Sequence, residues 1–314
     1  MSTSEVNVFD LPNYAGELFT ADAVNTPILN MLGGLTGGGM QTFNFEFPVS
    51  SEYDLPSEEQ PEISEDDSLT APDATNIVRE QVTNVTQIFH QTVDLSYEKL
   101  SNYNRLSGIN TAGASNNVDD EMAWQIDKNL QIIARNIEYT ILKGAFNKAS
   151  ASDQANKTRG IFEAADLTGG TVIDAGSAAL DKDLIQELFR TMHDNGAMYL
   201  NPVILVSGLN KQKITDIYGY APESRNVGGL DLQQLETDFG NISIAPAHRF
   251  MPNDKLAVVE MDLLQPVFQP HPEKGNFFFE ELSKDGAAEK GQIYGKFGLD
   301  HGPAFAHGLI ENLG

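Results

Sequence analysis

Histidines and carboxylates are the side chains here most able to do chemistry, and their spacing limits what chemistry is open to them. The chain carries six histidines, His90, His193, His248, His271, His301 and His307. No two stand three or four apart, the spacing that puts two imidazoles on one helix face around a zinc ion. His301 and His307 are the nearest pair, in a glycine-broken segment with no third ligand beside them, so no metal site is expected. No G-x-S-x-G elbow occurs to support a serine nucleophile. The glycine-rich run MLGGLTGGGM (Met31–Met40) fits neither the phosphate-loop nor the dinucleotide spacing, and no Lys-Ser/Thr follows it. It reads as the hinge of a flexible arm. No catalytic residue and no cofactor is assigned.

The carboxylates gather in one place. Ser51–Asp67, SEYDLPSEEQPEISEDD, holds eight acidic residues and no basic one. The calcium-loop order of an EF-hand is missing, and no glycine lies between Ser51 and Asp67. Read alone, the segment is a solvated loop.

The elements around it give that loop a position. Phe43, Phe45 and Phe47 alternate with polar residues, which predicts a strand with one apolar face. From Ile77 to Leu95 the run IVREQVTNVTQIFHQTVDL is rich in Val, Ile and Thr, which predicts a second strand. Together they describe a long hairpin whose tip is acidic, and a two-stranded ribbon needs something else to lie on. Residues 118–149 carry the strongest helix signal, a stripe of Val118, Met122, Ile126, Leu130, Ile133, Ile137 and Ile141. Asp181–Asn195 reads as a helix closed by Gly196, NPVILVSG as a buried strand, and Leu209–Tyr218 as another helix. YGYAPESRNVGG reads as a loop. NISIAPA, KLAVVEM, NFFFEEL and GQIYGKFGL read as strands, expected in a sheet belonging with the long helix.

Composition excludes several classes of function. There are 45 acidic against 20 basic residues, a formal charge of −25. Such a surface repels phosphate backbones and anionic membranes. Without cysteine there is neither a disulfide framework nor a thiolate metal site. No secretory signal opens the sequence, and no apolar stretch approaches the span of a bilayer. Synthesis and assembly in a cytoplasm, with no membrane partner, is the expectation.

The order of parts is flexible arm, long hairpin with a large tip, long helix, α/β segment, then returning strands. It resembles the major capsid protein of tailed double-stranded DNA phages, of the Hong Kong 97 type. The likeness covers nearly the whole chain. RNIEYTILKGAFNKA followed by TRGIF resembles the end of a capsid spine helix and its Gly-Ile turn. FGNISIAPAHRFMPNDKLAVVEMDLLQPVF and EELSKDGAAEKGQIYGKFGLDHGPAFAHGLI resemble the C-terminal half of such proteins. The resemblance implies an α+β fold with an N-terminal arm at 1–40 and an extended loop at 41–98, its acidic tip at 51–73. It also implies a peripheral domain at 99–158 containing the spine helix, and an axial α/β domain at 159–238. Residues 239–314 would return to complete both sheets.

That family builds virions, so the resemblance implies a non-enzymatic subunit that self-assembles as pentamers and hexamers into an icosahedral head. Its partners would be copies of itself, a portal protein, a separate scaffolding or decoration protein, and packaged DNA through weak non-specific contact. Residues 41–98 contain no lysine, so the covalent cross-link of the archetype is not expected. The expected contact is ionic instead. Glu58, Glu59, Glu65, Asp66 and Asp67 would meet basic residues of a neighbouring subunit, with Arg135, Lys157, Arg159 and Lys290 as candidates. An encapsulin-like cargo compartment is the alternative on the same fold. An α/β enzyme with a site within 160–260 is a third reading, but nothing there pairs a nucleophile with a base.

Overall fold

The computed structural model describes residues 26–33, 39–53, 60, 62–71, 76–77, 79–98, 121–218, 224–227, 230–247, 250–284 and 286–314. Its helices are α1 (Pro27–Gly33), α2 (Glu121–Lys143), α3 (Ile161–Ala165), α4 (Lys182–Asp194) and α5 (Gly208–Tyr218). The strands of the first half are β1 (Met40–Gln41), β2 (Glu46–Tyr53), β3 (Arg79–Val85), β4 (Gln87–Ser96), β5 (Thr171–Asp174) and β6 (Pro202–Val206). Those of the second half are β7 (Ser224–Val227), β8 (Leu230–Thr237), β9 (Gly240–Pro246), β10 (Leu256–Glu260), β11 (Gln265–Phe268), β12 (Phe277–Leu282), β13 (Ala288–Asp300) and β14 (Gly308–Glu311).

The aliphatic stripe does form one long helix. Ile126, Leu130, Ile133, Ile137 and Ile141 of α2 are all buried, and the helix lies across β4 and β13. Its 23 residues span about 35 Å at 1.5 Å per residue. It stops at Lys143, not at 149, and Val118 falls outside the described residues. The stop has a tertiary cause. Gly144 and Gly160 pack backbone to backbone, with the Gly160 N–H donating to Gly144 O at 2.8 Å. A Cβ on Gly144 would stand 2.5 Å from both Thr140 O and Thr158 O. The chain then turns back through an Asn147–Lys157 bridge.

Two sheets share the returning strands. One has five strands, ordered β1-β11-β13-β12, with β4 also paired to β13. The other has seven, ordered β5-β14-β10-β6-β9-β8-β7, and mixes parallel with antiparallel pairs. NISIAPA and KLAVVEM therefore leave the long helix's sheet and join the seven-stranded one as β9 and β10. NFFFEEL and GQIYGKFGL stay with the long helix as β12 and β13. In the seven-stranded sheet β10 and β6 are buried at every position, as strands covered on both faces must be. Within YGYAPESRNVGG, expected to be loop, Ser224–Val227 instead pairs with β8.

α4 forms where the sequence places it, one residue shorter at each end. The Asp181 carboxylate accepts the Leu184 N–H at 2.8 Å, and Gly196 takes the left-handed conformation just beyond the end, at φ +92°. Ile185, Leu188, Phe189 and Met192 turn inward and share a core with Ile204, Ile244 and Val258 of the sheet.

Two strand expectations shift. The first strand begins at Glu46. Phe43 and Phe45 are exposed and precede it, because the Thr42 hydroxyl and backbone bend the chain around Asn44. The run Ile77–Leu95 is not one strand of a hairpin. At Thr86, whose N–H donates to Phe45 O at 2.8 Å, the chain leaves the ribbon and enters the five-stranded sheet as β4.

Candidate assembly surface

β2 and β3 pair only with each other among the described residues, from Glu46↔Val85 at one end to Tyr53↔Arg79 at the other. A register shift between Pro48 and Ser50 marks a bulge, a place where a proline is tolerated. Such a ribbon has little stability of its own, so its base must be fixed.

Asn84 does most of that fixing. It is fully buried, and its amide donates to Leu299 O at 2.7 Å and to Arg159 O at 3.3 Å. Its carbonyl oxygen accepts the N–H of Arg159 at 2.8 Å and of Val85 at 2.9 Å. Phe47 is buried against Gly298, where a Cβ would come within 2.8 Å of its ring. Lys148 pairs with Glu46 at 2.6 Å. Hydrogen bonds from Lys148 and then Thr83 hold the Glu46 carboxyl below the usual carboxylate range. Of these anchors sequence reasoning singled out only Phe47, as part of a strand's apolar face.

At the far end, residues 62–71 are exposed throughout, yet the chain there is locally built. Ser64 Oγ donates to Asp67 Oδ2 at 2.6 Å, and the Asp67 N–H donates back to Ser64 Oγ at 3.1 Å. The Ser64 hydroxyl, and then the Ser64 N–H, donate to the Asp67 carboxylate and lower its pKa, and the reciprocal pair opens a short 3₁₀ turn, Asp67–Leu69. The turn displays Ile63 and Leu69, which are 67% and 83% exposed. The tip is thus a small knob with apolar points among its carboxylates.

Of the acidic candidates, Glu65, Asp66 and Asp67 sit together on this knob, while Glu58 and Glu59 lie outside the described residues. The basic candidates are dispersed. Arg159 is buried and spent inside its own subunit. Its guanidinium donates to Thr83 O at 3.2 Å, lies 3.5 Å from Glu163 and stacks 4.3 Å over the Phe146 ring. Lys290 stands 3.7 Å from Asp94, far along β13 from the ribbon. Arg135 is half-buried on α2, and Lys157 is exposed at the ribbon base.

His301 and His307 are both fully buried, with His307 Nε2 facing His301 O. Burial lowers His301 to about 3 and His307 to about 4, so both rings are neutral. Among the described residues no three His, Asp or Glu side chains are grouped to hold a metal ion. Among them, too, no helix is long and apolar enough to cross a membrane.

A long helix on one sheet, a second mixed sheet and a projecting ribbon with an unpacked tip define a subunit of the phage-capsid, Hong Kong 97 class. The family model of the SU10 major capsid protein matches residues 1–314, and the chain belongs to that family. It is a structural shell protein. Similar solved structures include the cyanophage A-1(L) capsid, at 12% identity and a TM-score of 0.60, covering 92% of this chain and 93% of that one. Mycobacterium phage Patience matches at 12% identity and a TM-score of 0.57, covering 97% and 88%. The SrpI encapsulin complex of Synechococcus elongatus matches at 10% identity and a TM-score of 0.53, covering 88% and 85%. Phage heads and the encapsulin share this fold, so it is the family match that sets a phage capsid apart from a cargo compartment. No curated protein matches the chain.

Proposed function

We propose that this subunit assembles as pentamers and hexamers into an icosahedral head that encloses double-stranded DNA. The observation that carries the proposal is the ribbon. Its base is pinned by Asn84 and Phe47, while the described residues of its tip, 62–71, are all exposed. An anchored ribbon with open edges and an unpacked apolar knob has its burial still to gain, and a second copy supplies it. Each contact is weak, and closure of a shell multiplies them.

In this reading the ribbon within residues 46–85 is the extended loop, shorter than the 41–98 expected because β4 belongs to the five-stranded sheet; that sheet with α2 is the peripheral domain, and the seven-stranded sheet with α4 and α5 is the axial one. Glu65, Asp66 and Asp67 make a non-covalent ionic contact with a neighbour. The net charge of −25 lets packaged DNA move along the inner wall without adhering. A portal protein and a separate scaffolding or decoration protein complete the head, which is assembled in the host cytoplasm.

Sedimentation tests this reading. The full chain is expected as fast-sedimenting particles containing DNA when made with its phage partners. Deleting Tyr53–Asp67 is expected to leave folded, slowly sedimenting subunits. Wild-type particle yield from the deletion would refute the role given to the loop, and particles filled with a cargo protein in place of DNA would favour the compartment.

A further inference from the structure

Opposite its buried stripe, α2 carries a second line of residues at helical spacing: Trp124, Lys128, Ile132, Arg135, Tyr139 and Lys143. The steps are four, four, three, four and four, so at 3.6 residues per turn they fall on one arc of about 100°. The line runs about 28 Å at 1.5 Å per residue. The outward face of a helix packed on a sheet is normally polar throughout. Here Trp124, Ile132 and Tyr139 are 45%, 41% and 50% exposed. Cations alternate with them. Lys128 Nζ stands 5.8 Å from the centre of the Trp124 ring, and Lys143 Nζ 5.7 Å from that of Tyr139. The chain has 45 acidic and 20 basic residues, yet every charge along this line is basic. Glu121 shares the arc only at the first residue of the helix, where it accepts from Gln125 Nε2 at 2.8 Å. Asp127 lies on the flank and pairs with Lys128 at 2.9 Å, a contact between exposed groups that holds little. Lys143 has no carboxylate partner among the described residues.

We infer that this line docks an acidic amphipathic helix of a different protein, laid along α2. Steps of three and four are those of a seam between two packed helices. A partner with apolar residues at the same steps covers Trp124, Ile132 and Tyr139. Its flanking glutamates or aspartates reach Lys128, Arg135 and Lys143. Other occupants match only half of the line. The same line on a second copy would set lysines against lysines across a two-fold axis. Duplex DNA offers phosphates to the lysines but leaves the three apolar side chains in water. The inference goes beyond the shell reading and does not depend on it.

Trp124 is the only tryptophan in the chain, so its emission reports on the line directly. The full-length protein is titrated with a synthetic helical peptide of about 20 residues, matching the line in length, with leucine at steps of three and four and glutamate on both flanks. A saturable shift to shorter wavelength is expected, because a half-exposed indole becomes buried, and the affinity should fall as salt rises. The same peptide with lysine in place of glutamate should leave the emission unchanged, and so should a short duplex DNA. In the double variant Lys128→Glu, Lys143→Glu the preference should reverse, with affinity for the glutamate peptide down about tenfold. A wild-type protein that shows no saturable shift overturns the inference, and this arm needs no variant to fold. Equal shifts with both peptides mean non-specific binding and overturn it too, as does a shift with DNA, which assigns the line to nucleic acid. Emission that moves when subunits assemble, with nothing added, assigns the line to a second copy and overturns it as well.

Discussion

The carboxylate of Glu138, buried in the C-terminal half of α2, accepts the backbone N–H of Leu29 at 2.7 Å and that of Ile28 at 3.0 Å. α1 begins at Pro27, which has no N–H, so these amides are the orphan donors of its first turn. One side chain of the long helix thus caps α1 and fixes where α1 docks.

Burial raises the Glu138 pKa from 4.5 to about 7, against the opposing pull of those two hydrogen bonds. A carboxyl with a raised pKa favours the folded state most when protonated. Its contribution is complete below about 4.5, the unfolded value, and is lost as pH rises through about 7. Urea unfolding of the unassembled subunit should show Glu138→Gln gaining about 3 kcal/mol on the wild type between pH 4.5 and pH 8. A pH-independent difference would mean that Glu138 does not titrate as its burial requires.

His301 and His307 act in the other direction. Their lowered values, about 3 and about 4, mean that folding favours the neutral rings. That stability is present above about 6.5 and is lost as pH falls through 4 to 3. The urea midpoint should drop steeply between pH 6 and pH 4, and His307→Gln should flatten the drop. An unchanged slope in the variant would place the acid sensitivity elsewhere.

Asn84→Ala removes one acceptor and one donor group from a closed buried set. The Arg159 and Val85 N–H groups and Leu299 O lose partners together, and each unsatisfied buried group costs about 1–3 kcal/mol. A loss of about 3 kcal/mol in urea unfolding is expected. Asn84→Asp should be worse, because its carboxylate would face Leu299 O with nothing to donate. A neutral Asn84→Ala would show that the ribbon base is held by Phe47 and Lys148 alone.

Gly160→Ala places a methyl 2.5 Å from Gly144 N and 2.7 Å from Thr140 O, both backbone atoms at the end of α2. Backbone must move to admit it, at a cost of about 3 kcal/mol or more. Ala165→Gly, a cavity of one methyl in the neighbouring helix, is the milder control, at about 1 kcal/mol. Equal urea midpoints for the two variants would argue against the close contact of Gly144 with Gly160.

What the sequence made legible is what rests on local periodicity and caps. The stripe from Ile126 to Ile141 and the helix closed by Gly196 each rest on signals within one element, and each forms as expected. The errors share a cause in distant partners. Nothing near Lys143 says that the helix must end there, because the reason is Gly160, sixteen residues on from Gly144. The Phe43–Phe45–Phe47 alternation marked a strand face, but only Phe47 has Gly298 to pack on. Ile77–Leu95 looked continuous because both halves have strand chemistry, and the change of partner at Thr86 leaves no mark on composition. Asn84 and Glu138 were invisible for the same reason. A polar residue in a strand or helix normally faces water, and their partners, Leu299 and Leu29, are 215 and 109 positions away. Of the acidic segment read as a solvated loop, Ser51–Tyr53 instead extend β2, residues 60 and 62–67 are exposed as expected, and the Ser64–Asp67 pair that orders the latter is a detail of geometry.

The central claim is that this chain builds a closed shell through its ribbon. Electron microscopy of the purified full-length protein tests it most directly. The account predicts uniform icosahedral particles whose reconstruction resolves pentamers and hexamers, with density for each ribbon tip lying on an adjacent subunit. A monodisperse monomer at every salt concentration and protein concentration tried would contradict it.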